Sequence, residues 1–194
     1  LELENPGGSA KDRVALAIIR DNERAGNLRP GYKDVILEGT SGLTGISFAM
    51  LANSLGFTAH ICLPDYTAKE KLQLLETLGA ELEPVKPAPI VDPNQYVNVA
   101  RRRAKEISAD PNDPRKAIFA DQFENDQNWR IHYTTTGPEI FQQMNGKVDV
   151  FINGSGTGGT ICGVGRYLKQ RTNNSVKIVL ADPQGSGLAN RINH

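Results

Sequence analysis

Apolar positions along this chain follow two alternating rhythms. Val14, Ala15, Ile18 and Ile19 repeat at helical spacing, whereas 34–38 (DVILE) is a short continuous apolar run of the kind a buried strand shows. The first helix is expected to start at Ser9, with Asp12 three residues on as a weak capping box, and to end before Gly26 and the Pro30-Gly31 turn. Further helices are predicted over 44–55, stopped by Gly56, over 68–78, stopped by Gly79, and over 95–107. Strands are predicted at 58–63, 81–85 and 117–120, with 86–93 (KPAPIVDP) and 111–114 as loops. A helix around 139–144, a strand at 148–152, a helix at 158–170 and a strand at 176–181 complete the pattern.

Strands that alternate with helices define the α/β class: parallel or largely parallel twisted sheets with helices on both faces. With 194 residues, the chain is long enough for one domain and part of a second. Apolar residues make up 39% and charged residues 23%, as a packed core requires. The net charge of zero gives no attraction to nucleic acid or to an anionic membrane surface, so neither is an expected partner. No apolar run is long enough for membrane insertion, and the start (LELE) lacks the pattern of a secretory signal. Cys62 and Cys162 both sit in apolar contexts and are expected to be buried, reduced thiols, which fits an intracellular location. His60, His132 and His194 are scattered without metal-ligand spacing, and Arg101-Arg102-Arg103 reads as a solvated helix face.

Three features carry chemistry. Lys11 stands in the first turn of a helix, where the macrodipole disfavours a cation. The same field lowers its pKa toward that of a neutral, nucleophilic amine; the plain alternative is a solvated lysine at little cost. Two strand–glycine loop–helix units follow, 38–45 (EGTSGLTG) and 153–160 (NGSGTGGT). Such loops let backbone amides at a helix start hold an anion beyond the carboxyl ends of the strands. Gly154, Gly156 and Gly159 also satisfy GxGxxG, with Asp182 near the end of the next strand, so the second loop alone reads as a dinucleotide site or a phosphate site.

The ordered motifs NPGGSAKDR (5–13), EGTSGLTG (38–45), LLETLGAELEPV (74–85), ADQFEN (120–125), HYTTTGPEI (132–140), GTGGTICGVGRYLK (156–169) and ADPQGS (181–186) resemble the fold-type II pyridoxal-phosphate enzymes. Within them, NPGG and TTGPEI resemble cysteine synthases and DPQGS resembles cystathionine β-synthases; the stretch 85–100 is similar to a fungal mitochondrial cysteine synthase-like branch. The resemblance implies a tryptophan synthase β-like fold with two domains: a smaller one over 1–124 and an incomplete second one over 125–194. It implies pyridoxal 5'-phosphate as cofactor, linked covalently to Lys11, with its phosphate on Gly156, Thr157, Gly158, Gly159 and Thr160. Thr40, Ser41, Gly42, Thr44 and Gln122 would take the carboxylate of an amino-acid substrate. The implied activity is β-replacement of O-acetylserine by sulfide to give cysteine. Condensation of serine with homocysteine and a non-catalytic relative are the alternatives. A homodimer in mitochondria or cytoplasm is implied as well. Two departures stand out: Leu43 occupies a position where the family usually has asparagine, and the chain looks like a fragment, without the strands that normally precede Lys11 or the portion that normally follows Ser186.

Overall fold

The computed structural model describes residues 1–193; His194 lies outside the described residues. The chain divides into two compact units, Leu1–Asn125 and Asp126–His194.

The first unit holds a four-stranded parallel sheet of order β3-β2-β1-β4, built from β1 (Val35–Gly39), β2 (Thr58–Pro64), β3 (Glu81–Val85) and β4 (Ala117–Phe119). Its helices are α1 (Lys11–Arg24), α2 (Leu43–Leu55), α3 (Lys69–Thr77) and α4 (Tyr96–Ala109). Every residue of β1 is buried, as expected of a central parallel strand covered on both faces. The pleat sorts its side chains. Val35, Leu37 and, from β2, Cys62 pack with Val99, Ala100 and Ala104 of α4. On the opposite face, Ile61 and Leu75 close around Gly45 of α2. Helices therefore cover both faces, as the alternation of elements predicts. Val14, Ala15, Ile18 and Ile19 are all fully buried, so the apolar stripe of α1 is its packing face. Each such branched side chain contributes about 1.5–3 kcal/mol on burial, except the small Ala15.

The second unit pairs β5 (Val150–Asn153) in parallel with β6 (Lys177–Leu180). Its helices are α5 (Gln127–Ile131), α6 (Gly137–Gln143), α7 (Gly159–Arg171) and the short α8 (Leu188–Asn193). Val164 and Leu168 of α7 and Val176 form its core, flanked by Phe141, Phe151, Tyr167 and Ile178. A π-helical turn, His132–Thr136, joins α5 to α6. Thr135 Oγ1 donates to the Ile131 carbonyl, and Thr134 Oγ1 donates to those of Arg130 and Ile131. These hydroxyls take up carbonyls that a widened turn leaves without their ordinary α-helical donors.

Several expectations need correction. Ser9 is not the N-cap of α1; Ala10 is, and Ser9 Oγ accepts the Lys11 amide instead, at 3.2 Å. The segment ahead of α6 is helical from Gln127, not merely around 139–144. Cys62 is buried, and burial pushes its thiol up to about 12, but Cys162 is exposed. In α7 the buried side follows Gly159, Gly163 and Leu168, and Cys162 is one residue, about 100°, off that line. The arginine run of α4 is exposed, yet it is paired rather than simply solvated: Arg103 binds Glu83 and Glu106, and Arg101 binds Asp121. His132 is buried, and His60 is bound to Glu81 and Glu83.

Candidate active site

In the first unit, β1 ends in the loop that feeds α2. Glu38 is the last side chain of β1 and is fully buried. After it, Gly39 brings the strand against the start of α4 so closely that a Cβ there would meet the Val97 Cα, with the Tyr96 carbonyl and Val97 amide 2.8 Å away. The Thr40 amide is held by the Cys62 carbonyl at 2.9 Å, and Thr40 Oγ1 accepts the Gly42 amide at 3.1 Å. Gly42 is the N-cap, Leu43 the first residue of α2, and Lys71 of α3 donates to the exposed Ser41's carbonyl at 2.7 Å.

Gln122 reaches the same place from β4. Asp121 adopts a left-handed φ of 51°, a conformation aspartate tolerates better than most residues, and the chain turns there. Gln122 then donates from its backbone amide to Glu38 Oε2 (3.3 Å) and from Nε2 to Glu38 Oε1 (3.2 Å). Thr44 Oγ1 donates to Gln122 Oε1 at 2.7 Å. This chain of bonds fixes which end of the Gln122 amide faces which neighbour, and Thr44 and Gln122 come together as the sequence reading expects.

Lys11 opens α1. Its neighbour Asp12 is buried and accepts the Gly7 amide (2.6 Å) and the Ser47 hydroxyl of α2 (2.5 Å). A Cβ on Gly7 would collide with that carboxylate. Asp12 thereby ties the glycine turn and α1 to α2, fixing the backbone from which Lys11 extends. Burial holds the Lys11 amine below the ordinary lysine value, and the charge of Glu38 opposes that shift. Desolvation, rather than the helix field inferred from sequence, is the main cause. Glu38 is pushed up to about 8 by burial, with its bonds from Gln122 and the charge of Lys11 pulling the other way and Asp121 adding to the rise. Neither Asp12 nor Glu38 stands out in the sequence, since a capping acid and a strand-end acid are both commonplace.

Glu38 makes stability pH-dependent. Its folded pKa lies above the ordinary 4.5, so the unfolded chain releases this proton first. The contribution is complete below about 4.5 and is lost as pH rises to about 8. Between these limits the wild-type melting temperature is expected to fall by about 10 °C or more beyond that of Glu38→Gln, read by circular dichroism.

In the second unit, the loop after β5 runs through Gly154 to Gly158 into α7. Gly158 has φ 82°, open to glycine and strained for other residues, and serves as N-cap. A Cβ on Gly159 would strike Asn128, whereas one on Gly156 would meet nothing within 4 Å. Asn128 Nδ2 donates to Thr157 Oγ1 at 2.7 Å. The Thr160 hydroxyl pairs with His132 Nε2 at 3.2 Å, and His132 Nδ1 pairs with Thr136 at 2.9 Å. The loop thus combines space over Gly156, oriented hydroxyls and the first-turn amides of α7, which lack intrahelical acceptors by construction. This donor set fits a phosphate ester, and the half-buried Lys11 amine, held below its ordinary value, fits an aldehyde. Asn128 and the π turn with His132 support the loop from behind; the sequence offers only the four-residue spacing from His132 to Thr136 as a hint.

A parallel α/β scaffold with a desolvated helix-start lysine and two glycine loops defines a class of cofactor-dependent enzymes. The family model for pyridoxal-phosphate dependent enzymes matches residues 1–193, and the chain belongs to that family. Among curated proteins, it is 58% identical over its whole length to the Saccharomyces cerevisiae protein named "Putative mitochondrial cysteine synthase". It is 53% identical over 193 residues to "Cysteine synthase 2" of Schizosaccharomyces pombe. The chain spans 49% of the length of each of these two relatives. Among solved structures, O-ureido-L-serine synthase matches with a TM-score of 0.87 at 32% identity, over 98% of this chain and 57% of that one. Membership of this family speaks against the dinucleotide reading of the second loop.

Proposed function

We propose that this chain carries the lysine, substrate loop and phosphate loop of a pyridoxal-phosphate-dependent β-replacement enzyme of the cysteine synthase type. The observation that carries the reading is the half-buried Lys11 at the start of α1, its amine held below the ordinary lysine value by burial, in the same unit as the loop of Thr40 to Thr44 bonded to Gln122. Lys11 would hold the cofactor, and Gly156, Thr157, Gly158, Gly159 and Thr160 its phosphate. Bound there, pyridoxal phosphate supplies an aldehyde and a ring that accepts negative charge developing at the substrate α-carbon.

This chain's residues supply the rest. The Lys11 amine, once uncharged and free, takes the α-proton as general base. Thr40, Ser41, Gly42 and Thr44 offer hydroxyls and helix-start amides to the substrate carboxylate. Gln122, oriented by Glu38 and Thr44, stands beside them in that carboxylate site. The charge of Glu38, when ionised, opposes the lowering of the Lys11 amine. Substrate is O-acetylserine and the second nucleophile sulfide; homocysteine in that role is the competing outcome. The unit Leu1–Asn125 is read as the domain with lysine and substrate loop, and the rest as part of the second domain. A homodimer is proposed for the whole protein, and a mitochondrial location, the latter supported by the likeness to the yeast protein.

The test is spectroscopic. Adding pyridoxal phosphate is expected to produce a visible absorption band, and adding O-acetylserine to change it, with cysteine appearing once sulfide is supplied. A colourless protein that binds a nicotinamide dinucleotide instead refutes the assignment; a band indifferent to O-acetylserine favours a non-catalytic relative. Leu43, half exposed at the head of α2, is the feature that favours this second reading. Leu43→Asn is expected to shift the cofactor band by adding a donor, worth about 1–3 kcal/mol to a buried acceptor. Superimposable spectra would remove Leu43 from the site.

A further inference from the structure

His60, Cys62 and Glu83 stand together on the α4 side of the first unit's sheet; the Cys62 carbonyl holds the Thr40 amide, while its side chain packs toward α4. Parallel pairing sets His60 opposite Glu81 and Cys62 opposite Glu83, so four metal-competent side chains share one face of β2 and the edge strand β3. The donor atoms of His60, Cys62 and Glu83 all lie within 4.8 Å of one another. His60 Nε2 is 2.9 Å from Glu83 Oε2, and Cys62 Sγ is 3.9 Å from the same oxygen. Donors at about 2.0–2.3 Å around one tetrahedral ion stand about 3.3–3.8 Å apart, so the observed spacings bracket that value and side-chain shifts of about 1 Å or less bring the three donors onto one ion.

We propose that His60, Cys62 and Glu83 bind a divalent cation of the zinc class, clipping the edge strand β3 to β2. The surroundings are arranged as at a metal centre. Glu81 Oε2 lies 3.2 Å from His60 Nδ1, so a proton on Nδ1 bonds that carboxylate and leaves Nε2 free to ligate. Arg103 grips Glu83 at 3.0–3.2 Å and fixes the carboxylate's direction. The Arg103 charge is shared with Glu106, 2.9 Å from its other arm, which limits its repulsion of a cation. Thiolate, imidazole and carboxylate together suit zinc or cobalt(II) better than magnesium or calcium. On binding, the Cys62 thiol releases its proton to the buffer, and the charges of thiolate and carboxylate offset the two of the cation. Cys62 and His60 are mostly buried, while Glu81 is 55% exposed and opens the approach from solvent.

Cobalt(II) titrated into the protein is expected to give a near-ultraviolet thiolate-to-cobalt band that zinc competes away. His60→Gln and Cys62→Ser should each weaken binding by about 10-fold or more, the latter abolishing the band, while Cys162→Ser leaves it intact. X-ray absorption on the unmodified zinc-loaded chain should show sulfur at about 2.3 Å beside nitrogen or oxygen near 2.0 Å. It decides the matter even if a variant fails to fold. Absence of the band, a band carried by Cys162, or a shell without sulfur would each overturn the site and leave only a hydrogen-bonded ion network. None of these readouts depends on the cofactor or on catalysis.

Discussion

Lys11→Ala is expected to give a protein that folds like the wild type but no longer acquires the visible band when pyridoxal phosphate is added. Lys11 lies at the first position of α1, half-buried, and the packing of that helix rests on Val14, Ala15, Ile18 and Ile19 rather than on the lysine. The backbone of the preceding turn is held by Asp12 through Gly7 and Ser47, contacts the substitution does not touch. Removing the amine therefore deletes the group proposed to hold the cofactor and to take the α-proton, with little effect on the scaffold. Turnover is expected to fall by at least about 10³-fold, since nucleophile and general base disappear together. Absorbance after addition and removal of excess cofactor checks the first effect, and a cysteine assay with O-acetylserine and sulfide the second. A Lys11→Ala protein that keeps the band would move the linkage to another lysine.

Gly39→Ala is expected to be the most damaging single-methyl change in the first unit. The new Cβ would run into backbone on three sides, the Cα and amide of Val97 and the carbonyl of Tyr96. No rotamer change relieves a clash with backbone, so α4 must lift from β1 along the packing of Val35, Leu37, Val99 and Ala100. The expected loss is about 3 kcal/mol or more. Gly187→Ala, where a Cβ meets nothing within 4 Å, is the matched control and should stay within about 0.5 kcal/mol. Urea denaturation followed by circular dichroism compares the two. Because the same displacement pulls at Glu38 and Thr40, the substrate loop should loosen before the rest of the unit unfolds.

Much of the scaffold is legible because strong local signals and tertiary packing agree. The helix read as 44–55 is Leu43–Leu55, and its stop, Gly56, takes a left-handed φ of 78°. The strand read as 81–85 is Glu81–Val85. What escapes the sequence depends on neighbours distant in the chain. Gln127–Thr136 is hard to read as helix because three successive threonines are poor helix formers; the turn persists by using their hydroxyls on the backbone and by packing on the glycines of α7. Ser9 looks like a cap because its residue type is right, but the turn closes one residue later. At the site, Lys11 and both loops are visible as motifs. The role of Glu38 is not, since its raised pKa comes from complete burial in the folded unit, and the bonds that partly oppose it come from Gln122, eighty-four residues away.

The accessibility contrast between the two cysteines has a practical consequence. Cys62 is sealed under α4, whereas Cys162 faces outward one turn into α7, just beyond the glycine loop. A maleimide or iodoacetamide reagent would therefore attach to one thiol of the native chain and to both after unfolding. A fluorophore placed there without mutagenesis would sit beside the proposed phosphate turn, so a change in its emission would test loading at that turn independently of any colour the cofactor brings.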